Sequence, residues 1–62
     1  MKLREWLYRK RLTIKEFAIQ IGYDREYVQT WLSGRREPSL TALDLVTKFT
    51  GGIVNTFEDL KD

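Results

Sequence analysis

The stretch that decides the fold is residues 12–34, LTIKEFAIQIGYDREYVQTWLSG, because it contains the start and stop signals of two short helices. The first helix begins after Thr13, a good N-cap residue, and Glu16 three positions later completes a capping box. Apolar residues at positions 14, 17, 18 and 21 follow the spacing of one buried helical face, and Gly22 is a typical left-handed stop. These signals predict a helix between residues 13 and 22.

A second helix follows after only two intervening residues, Tyr23 and Asp24. Asp24 is a suitable N-cap, and Gly34 is placed to end a helix over residues 25–33. Two short helices joined by so tight a turn cannot lie antiparallel, and the steep crossing that remains is the helix-turn-helix arrangement. The pattern therefore predicts a helix-turn-helix at about residues 13–33.

The flanking segments predict further helices. Apolar residues at positions 3, 6 and 7 share one stripe of a helix over residues 2–11. Ser39 can cap a helix over residues 40–50, which Gly51 and Gly52 stop. Thr56 can cap a last helical turn, and a short strand at residues 53–54 is the competing interpretation.

The helix over residues 40–50 has an unusually broad apolar side. Its apolar residues cover an arc of about 160°, whereas an ordinary surface helix buries a stripe of ~100°. Such a helix either lies at the centre of the fold or faces a second subunit. Since 62 residues allow only one small core, a dimer or a DNA complex would add stability.

Composition excludes several function classes. The chain has no cysteine and no histidine, so disulfides, thiolate or imidazole metal sites and Cys or Ser/His catalysis are absent. No apolar run approaches the ~18 residues of a bilayer span, and no signal-peptide pattern follows the basic start. We expect a cytoplasmic protein that is not an enzyme, with no metal, cofactor, membrane contact or small-molecule substrate.

The net charge of +2 hides an uneven distribution. Residues 1–36 contain nine Lys/Arg and four acidic residues, whereas residues 37–62 contain two Lys/Arg and five acidic residues. A basic front with an acidic tail indicates a face that binds a polyanion. The alternative is an ordinary solvated surface whose asymmetry is accidental.

The outward side of the helix over residues 25–33 is rich in hydrogen-bond donors and acceptors, provided that Val28, Trp31 and Leu32 point inward. An α-helix fits the DNA major groove, where Arg bonds guanine, Gln bonds adenine, Glu accepts from the cytosine amino group and Thr contacts several bases. The alternative is the polar outer face that any surface helix shows. The predicted base-reading residues are Arg25, Glu26, Gln29 and Thr30.

Glu26 is the difficult member of this set, because a carboxylate near phosphates is repelled. Three interpretations stay open: it reads a cytosine, it orients a neighbour such as Thr30 or Arg25, or it lies away from the DNA.

A second group is predicted to contact the DNA backbone. Arg35 and Arg36 follow the reading helix, although cations there also stabilise a helix C-terminus. Lys15 can meet a phosphate together with free N–H groups of its helix, or it is simply solvated. Trp6 and Trp31 lie on inward stripes and are predicted to be core residues and not base-stacking platforms. The predicted backbone contacts are Lys15, Tyr27, Ser33, Arg35 and Arg36.

The pattern LTxxEFAxxIGxDxxxVxxWLSGRRxPS over residues 12–39 resembles the Cro/C1-type, or XRE-type, helix-turn-helix family, and the similarity extends over about residues 3–52. The resemblance implies a compact, all-α, five-helix fold like that of lambda repressor, with the third helix in the major groove. It also implies a homodimer on a palindromic operator. The WLSGRR stretch is most similar to small phage or plasmid Cro-like regulators. Many members carry glutamine at the positions of Ile14 and Arg25, so their base preference does not transfer.

The sequence is compatible with two alternative functions. The first is a repressor, one domain over residues 1–62, that binds a double-stranded operator as a weak homodimer through the fourth helix and residues 51–60. The second is a protein-interaction module, such as an antitoxin or an anti-repressor, that masks another protein with its acidic tail and Phe57.

Overall fold

The structure is a computed structural model that describes residues 1–62, and it contains five helices and no strand. The Cα radius of gyration is 10.0 Å, close to the ~10.6 Å expected of a compact chain of this length. The all-α, five-helix, lambda-repressor-like prediction is therefore confirmed. The helices are α1 (Leu3–Lys10), α2 (Ile14–Ile21), α3 (Arg25–Leu32), α4 (Leu40–Phe49) and α5 (Phe57–Leu60).

Helix α2 begins and ends at the predicted residues. The Glu16 N–H donates to Thr13 Oγ1 at 3.0 Å, and the Thr13 N–H donates to Glu16 Oε1 at 2.9 Å, which completes the capping box. Gly22 follows the helix with φ 84°, and the Tyr23 N–H bonds back to the Ala18 carbonyl at 2.9 Å. This left-handed closure turns the chain directly into α3.

Helix α3 occupies the predicted place with one correction at its start. Asp24 is the N-cap residue, but its side chain makes no capping hydrogen bond and instead borders a groove that also contains Lys15 and Arg25. The helix ends as predicted, because Gly34 takes φ 78° and the Arg35 N–H bonds to the Thr30 carbonyl at 2.9 Å.

The segment after α4 settles the choice between strand and helix. Residues 53–54 form no strand, and the last element is α5, capped by the Thr56 side chain at 3.2 Å from the Asp59 nitrogen. Val54 is fully buried as a core residue of a loop. A strand there has no partner, because the rest of the chain contains helices and loops but no other strand.

The core draws on all five helices and on Val54. Helix α2 packs against α3 and α4, while α5 packs against α1 and α3. Trp6 and Trp31 are buried, as predicted, and their Nε1 atoms have no hydrogen-bond partner within the chain, so contacts of the rings hold them in place. None of the helices is both long enough and apolar enough to cross a bilayer.

Helix α4 is central on one side and open on the other. Ala42 and Val46 are fully buried, whereas Leu45 is 37% exposed. Phe49 is 36% exposed and its ring packs edge-on against those of Trp6, at 5.7 Å between centroids, and Phe17, at 5.6 Å. The broad apolar arc therefore serves the core over most of its width and leaves one flank at the surface.

Thr50 is the one buried polar residue, and it ties the end of α4 to the loop before α5. Its hydroxyl oxygen accepts a hydrogen bond from the Val54 N–H at 3.1 Å and lies 2.9 Å from the Val46 carbonyl. A polar group buried this deeply is stable only because these partners satisfy it.

Thr50→Val preserves the shape of the side chain and leaves the buried Val54 N–H without a partner. We expect the free energy of unfolding to fall by about 1–3 kcal/mol, measured by urea denaturation. Thr50→Ser retains the hydroxyl and should lose less stability. A Thr50→Val variant as stable as the wild type would show that the hydroxyl contributes nothing.

Candidate DNA-binding surface

Helix α3 presents two opposite sides. Val28, Trp31 and Leu32 are buried against the core, and this fixes the rotation of the helix about its axis. Arg25, Glu26 and Gln29 therefore point outward and are exposed, while Thr30 is half-buried at the edge of the same side. The inward and outward assignment of α3 is confirmed, whereas the roles of the outward residues stay predictions.

Five of the predicted residues come together in one shallow groove along α3, and no apolar side chain lines it. These residues are Glu26, Gln29, Thr30, Ser33 and Arg35. The groove therefore brings together three residues of α3, the C-cap residue Ser33 and the first arginine after the helix.

A second shallow groove lies between the starts of α2 and α3, and Lys15, Arg25 and Glu26 are among its lining residues. Glu26 belongs to both grooves and is therefore at the middle of the outward surface. Arg36 is exposed outside both grooves. The second groove also has apolar lining from α2, including the exposed Ile19. We call the polar residues of the two grooves together the polar surface of α3.

Tyr27 is placed at the side of this surface and not on it. It is half-buried, and its ring lies 5.1 Å from that of Trp31 and 5.5 Å from that of Tyr23, between centroids. The three rings form one aromatic cluster that runs from the residue before the N-cap to the last turn of α3. Tyr27 thereby anchors the helix to the core, and a phosphate contact through its hydroxyl stays a prediction.

The hydroxyl groups of α3 are turned inward to the backbone. Thr30 Oγ1 donates to the Tyr27 carbonyl, and Ser33 Oγ donates to the Thr30 carbonyl at 3.2 Å. In these positions the hydroxyl hydrogens are unavailable to a ligand, so Thr30 offers a methyl group and acceptor lone pairs. Helical Ser and Thr often bond back to the carbonyl three or four residues earlier, and their residue types are the sequence signal from which this can be expected.

The remaining outward residues keep their polar atoms free. No hydrogen bond or ion pair within the chain engages the side chain of Arg25, Glu26 or Gln29. The same holds for a group of cations around this surface. These cations are Lys15, Arg35 and Arg36.

The N-terminus of α2 is less open than the sequence suggested. Its capping box already engages the N–H groups of Thr13 and Glu16. The hydrogen bond from the Thr13 backbone N–H is the main cause of the lowered pKa of the Glu16 carboxyl, and the Thr13 side chain adds to it. Lys15 stands exposed beside this carboxylate. By contrast, no side chain caps the first turn of α3.

The acidic tail does not extend freely from the domain. Asp62 forms a two-pronged pair with Arg4 of α1, both N–O distances being 2.8 Å, and its N–H donates to the Leu32 carbonyl at 2.8 Å. This contact lowers the pKa of Asp62 and raises the pKa of Arg4, mainly through the side-chain hydrogen bonds. No local sequence signal predicts a pairing between residues 58 positions apart.

Other tail charges are also engaged within the chain. Lys61 lies 2.8 Å from Glu58, and its hydrogen bond is the main cause of the lowered pKa of Glu58. Lys2 donates to the Glu58 carbonyl at 2.6 Å. The tail therefore pairs with Arg4 of α1 and holds Lys2, and it leaves the cations beside α3 unpaired.

The Arg4–Asp62 pair makes stability depend on pH. Because the pKa of Asp62 is lower in the folded chain than its usual 3.8, the contribution is complete above that value and is lost as the pH falls through the lowered pKa. Both side chains are about half exposed, so we expect about 0.2–1 kcal/mol. Urea denaturation should show Asp62→Asn less stable than the wild type at pH 7 and equally stable near pH 2. A difference that is the same at both pH values would contradict this assignment.

The geometry defines a class of protein. Two short helices cross after a glycine turn, the second is locked to the core by one side, and its other side exposes free donors, acceptors and neighbouring cations. An exposed polar helix with this support is the element that enters a DNA groove in helix-turn-helix proteins.

Comparison with known families agrees. The family model described as helix-turn-helix matches residues 1–53, and the chain belongs to this family, the Cro/C1-type or XRE group. It is a family of sequence-specific DNA-binding transcription regulators and not of enzymes. No curated protein and no solved structure gives a match to the chain.

Proposed function

We propose that this chain is a transcriptional repressor whose α3 enters the major groove of a palindromic operator. The observation that carries the proposal is the polar surface of α3, where the side chains of Arg25, Glu26 and Gln29 are exposed and free of internal partners. Such side chains exchange water for base edges without first breaking bonds within the protein. The operating unit is the whole of residues 1–62, since its core draws on all five helices.

Contacts with the DNA backbone are assigned to the surroundings of α3. Arg35 and Arg36 follow the helix, Lys15 faces it from α2, and none of the three is paired within the chain. The uncapped first turn of α3 adds backbone N–H groups that suit a phosphate. Ser33 and Tyr27 contribute at the two sides of the helix through the lone pairs of Ser33 and the phenol of Tyr27.

The proposed repressor acts as a weak homodimer through α4 and residues 51–60. Support comes from large apolar side chains there that the fold leaves partly exposed: Leu45 at 37%, Phe49 at 36% and Ile53 at 48%. A second copy would cover this flank and place two α3 helices on the two halves of a palindrome.

The competing candidate is an antitoxin or anti-repressor that presents its acidic tail to another protein. The contacts of the tail favour the repressor, because Glu58 and Asp62 are paired within the chain. Phe57 is half-buried, with Lys61 Nζ 5.0 Å from the centre of its ring. Presenting these groups to a partner would require breaking contacts that the domain already makes.

Variants of α3 and of the following loop test the proposal. After selection of a preferred site from random duplex DNA, we expect Gln29→Ala and Arg25→Ala each to weaken binding to that site by about 1–3 kcal/mol. Replacement of Arg35 or Arg36 by alanine should weaken all duplexes alike and reduce the salt slope by about one. Anisotropy titrations at several salt concentrations measure both effects.

Arg9→Ala is the matched control, since it removes one positive charge from α1, where Arg9 pairs with Glu5 at 3.1 Å. It should change neither the site preference nor the salt slope by a comparable amount. If Gln29→Ala and Arg25→Ala leave affinity for the selected site intact, α3 does not read it.

Sedimentation of the free protein tests the dimer. We expect self-association that Ile53→Glu abolishes, because a charge would then lie in the apolar contact. Tyr8→Glu is the control, since it places a charge on α1, where Tyr8 is exposed, and it should leave self-association unchanged. A wild-type protein that stays monomeric at every concentration, free and on its site, would refute the dimer.

A further inference from the structure

Glu26 occupies the middle of the polar surface of α3, where a negative charge opposes binding to DNA. It is exposed in the first turn of the helix and borders both grooves. Carboxylates near phosphates weaken non-specific binding, because affinity for DNA is dominated by charge. A residue that lowers affinity at this position needs another reason to be there.

Orientation of a neighbour does not supply that reason. Thr30, one helical turn further on, already donates its hydroxyl hydrogen to the Tyr27 carbonyl, so it has no hydrogen to give to Glu26. Arg25 forms no ion pair with Glu26 or with any other carboxylate. The carboxylate therefore has neither a partner to hold nor one that neutralises it.

A position away from the DNA is excluded within the proposed binding mode. Glu26 lines the same groove as Gln29 and Arg35, which face outward from α3 and from the loop after it. If this groove meets the DNA, Glu26 meets it as well.

An unpaired carboxylate is an acceptor without a hydrogen to donate. In the major groove guanine presents two acceptors, thymine presents one acceptor beside its methyl group, and adenine presents its N6 amino group next to the N7 acceptor. Only cytosine offers an amino group with no acceptor on the same base edge. The chemistry of Glu26 therefore fits one base and is repelled by the acceptor atoms of the other three.

We propose that Glu26 is a specificity-determining residue that selects a cytosine in the operator by accepting a hydrogen bond from its N4 amino group, and that it acts chiefly by rejecting other bases. The inference rests on the proposed entry of α3 into the major groove. It implies that Glu26 lowers the affinity for DNA in general and increases the discrimination between cytosine and the other bases. Removal of its charge strengthens binding to unrelated DNA and weakens the choice of base, two effects that a merely structural residue does not combine.

The experiment compares the wild type with Glu26→Gln on three duplexes: the selected site, the same site with one cytosine replaced, and an unrelated sequence. The wild type should prefer the cytosine by about tenfold or more. Glu26→Gln should reduce this preference to less than about threefold or shift it to adenine, which glutamine recognises. The variant should also bind the unrelated duplex a few-fold more tightly.

Glu37→Gln is the matched control. Glu37 is exposed in the loop after α3 and forms no ion pair, so its replacement removes the same charge outside the polar surface. It should tighten binding to all three duplexes equally and leave the preference for cytosine intact.

A change in the DNA tests the same contact without altering the protein. N4-methylcytosine keeps its pairing with guanine but replaces the amino hydrogen that faces the major groove. The wild type should lose its preference on this duplex, and Glu26→Gln should respond less. This arm is independent of any effect of the substitution on folding.

The possible failures are distinct. If a site is selected and the preference for cytosine survives both Glu26→Gln and N4-methylation, the inference is wrong and the proposed function stands. If Glu26→Gln weakens all three duplexes alike, Glu26 only supports α3 and the inference is again wrong. If no preferred site emerges, the proposed function fails and the inference fails with it.

Discussion

The angle between α2 and α3 is the constraint on which the rest of the structure depends, and the chain sets it at Gly22. With φ at 84°, this residue occupies a conformation that a side chain disfavours, although the space around its Cα is open. The requirement for glycine is therefore conformational and not steric. After this turn the buried side of α3 packs against α2, and the opposite side of α3 therefore faces solvent.

Local signals explain why the helices were predictable. Capping boxes, apolar periodicity and stop glycines each act within a few residues. In the structure Thr13 caps α2, and Gly22 and Gly34 take the left-handed conformation that ends α2 and α3. Asp24 shows the limit of this reasoning, because a residue can occupy the N-cap position without its side chain bonding to the helix. The choice between strand and helix at residues 53–54 was likewise beyond local signals, since it depends on whether a partner strand exists.

The site was predictable as a side of a helix but not as a set of available atoms. Helical periodicity alone places residues 25, 26 and 29 outward. It does not reveal that the hydroxyls of Thr30 and Ser33 donate to backbone carbonyls. Because of this hydrogen bond, Thr30 presents a methyl group and lone pairs to a base, and not a hydroxyl hydrogen. Nor does helical periodicity reveal the contact between Arg4 and Asp62, which arises only when the two ends of the chain meet.

The structure explains the charge asymmetry of the sequence differently from a basic front with a separate acidic tail. The acidic tail folds back towards the start of α1, where the Asp62 carboxylate pairs with Arg4 and the Glu58 backbone carbonyl accepts from Lys2. No residue of the tail pairs with a cation beside α3. In the proposed binding mode, the cations assigned to the DNA backbone, Lys15, Arg35 and Arg36, lie beside the side chains that would choose among sequences. In that mode Arg35 and Arg36 would supply affinity for phosphates, while Glu26 would oppose binding wherever the base lacks a suitable amino group. Under this proposal each α3 of the weak homodimer would gain selectivity from repulsion at one position, because rejecting a wrong base requires no additional attractive contact.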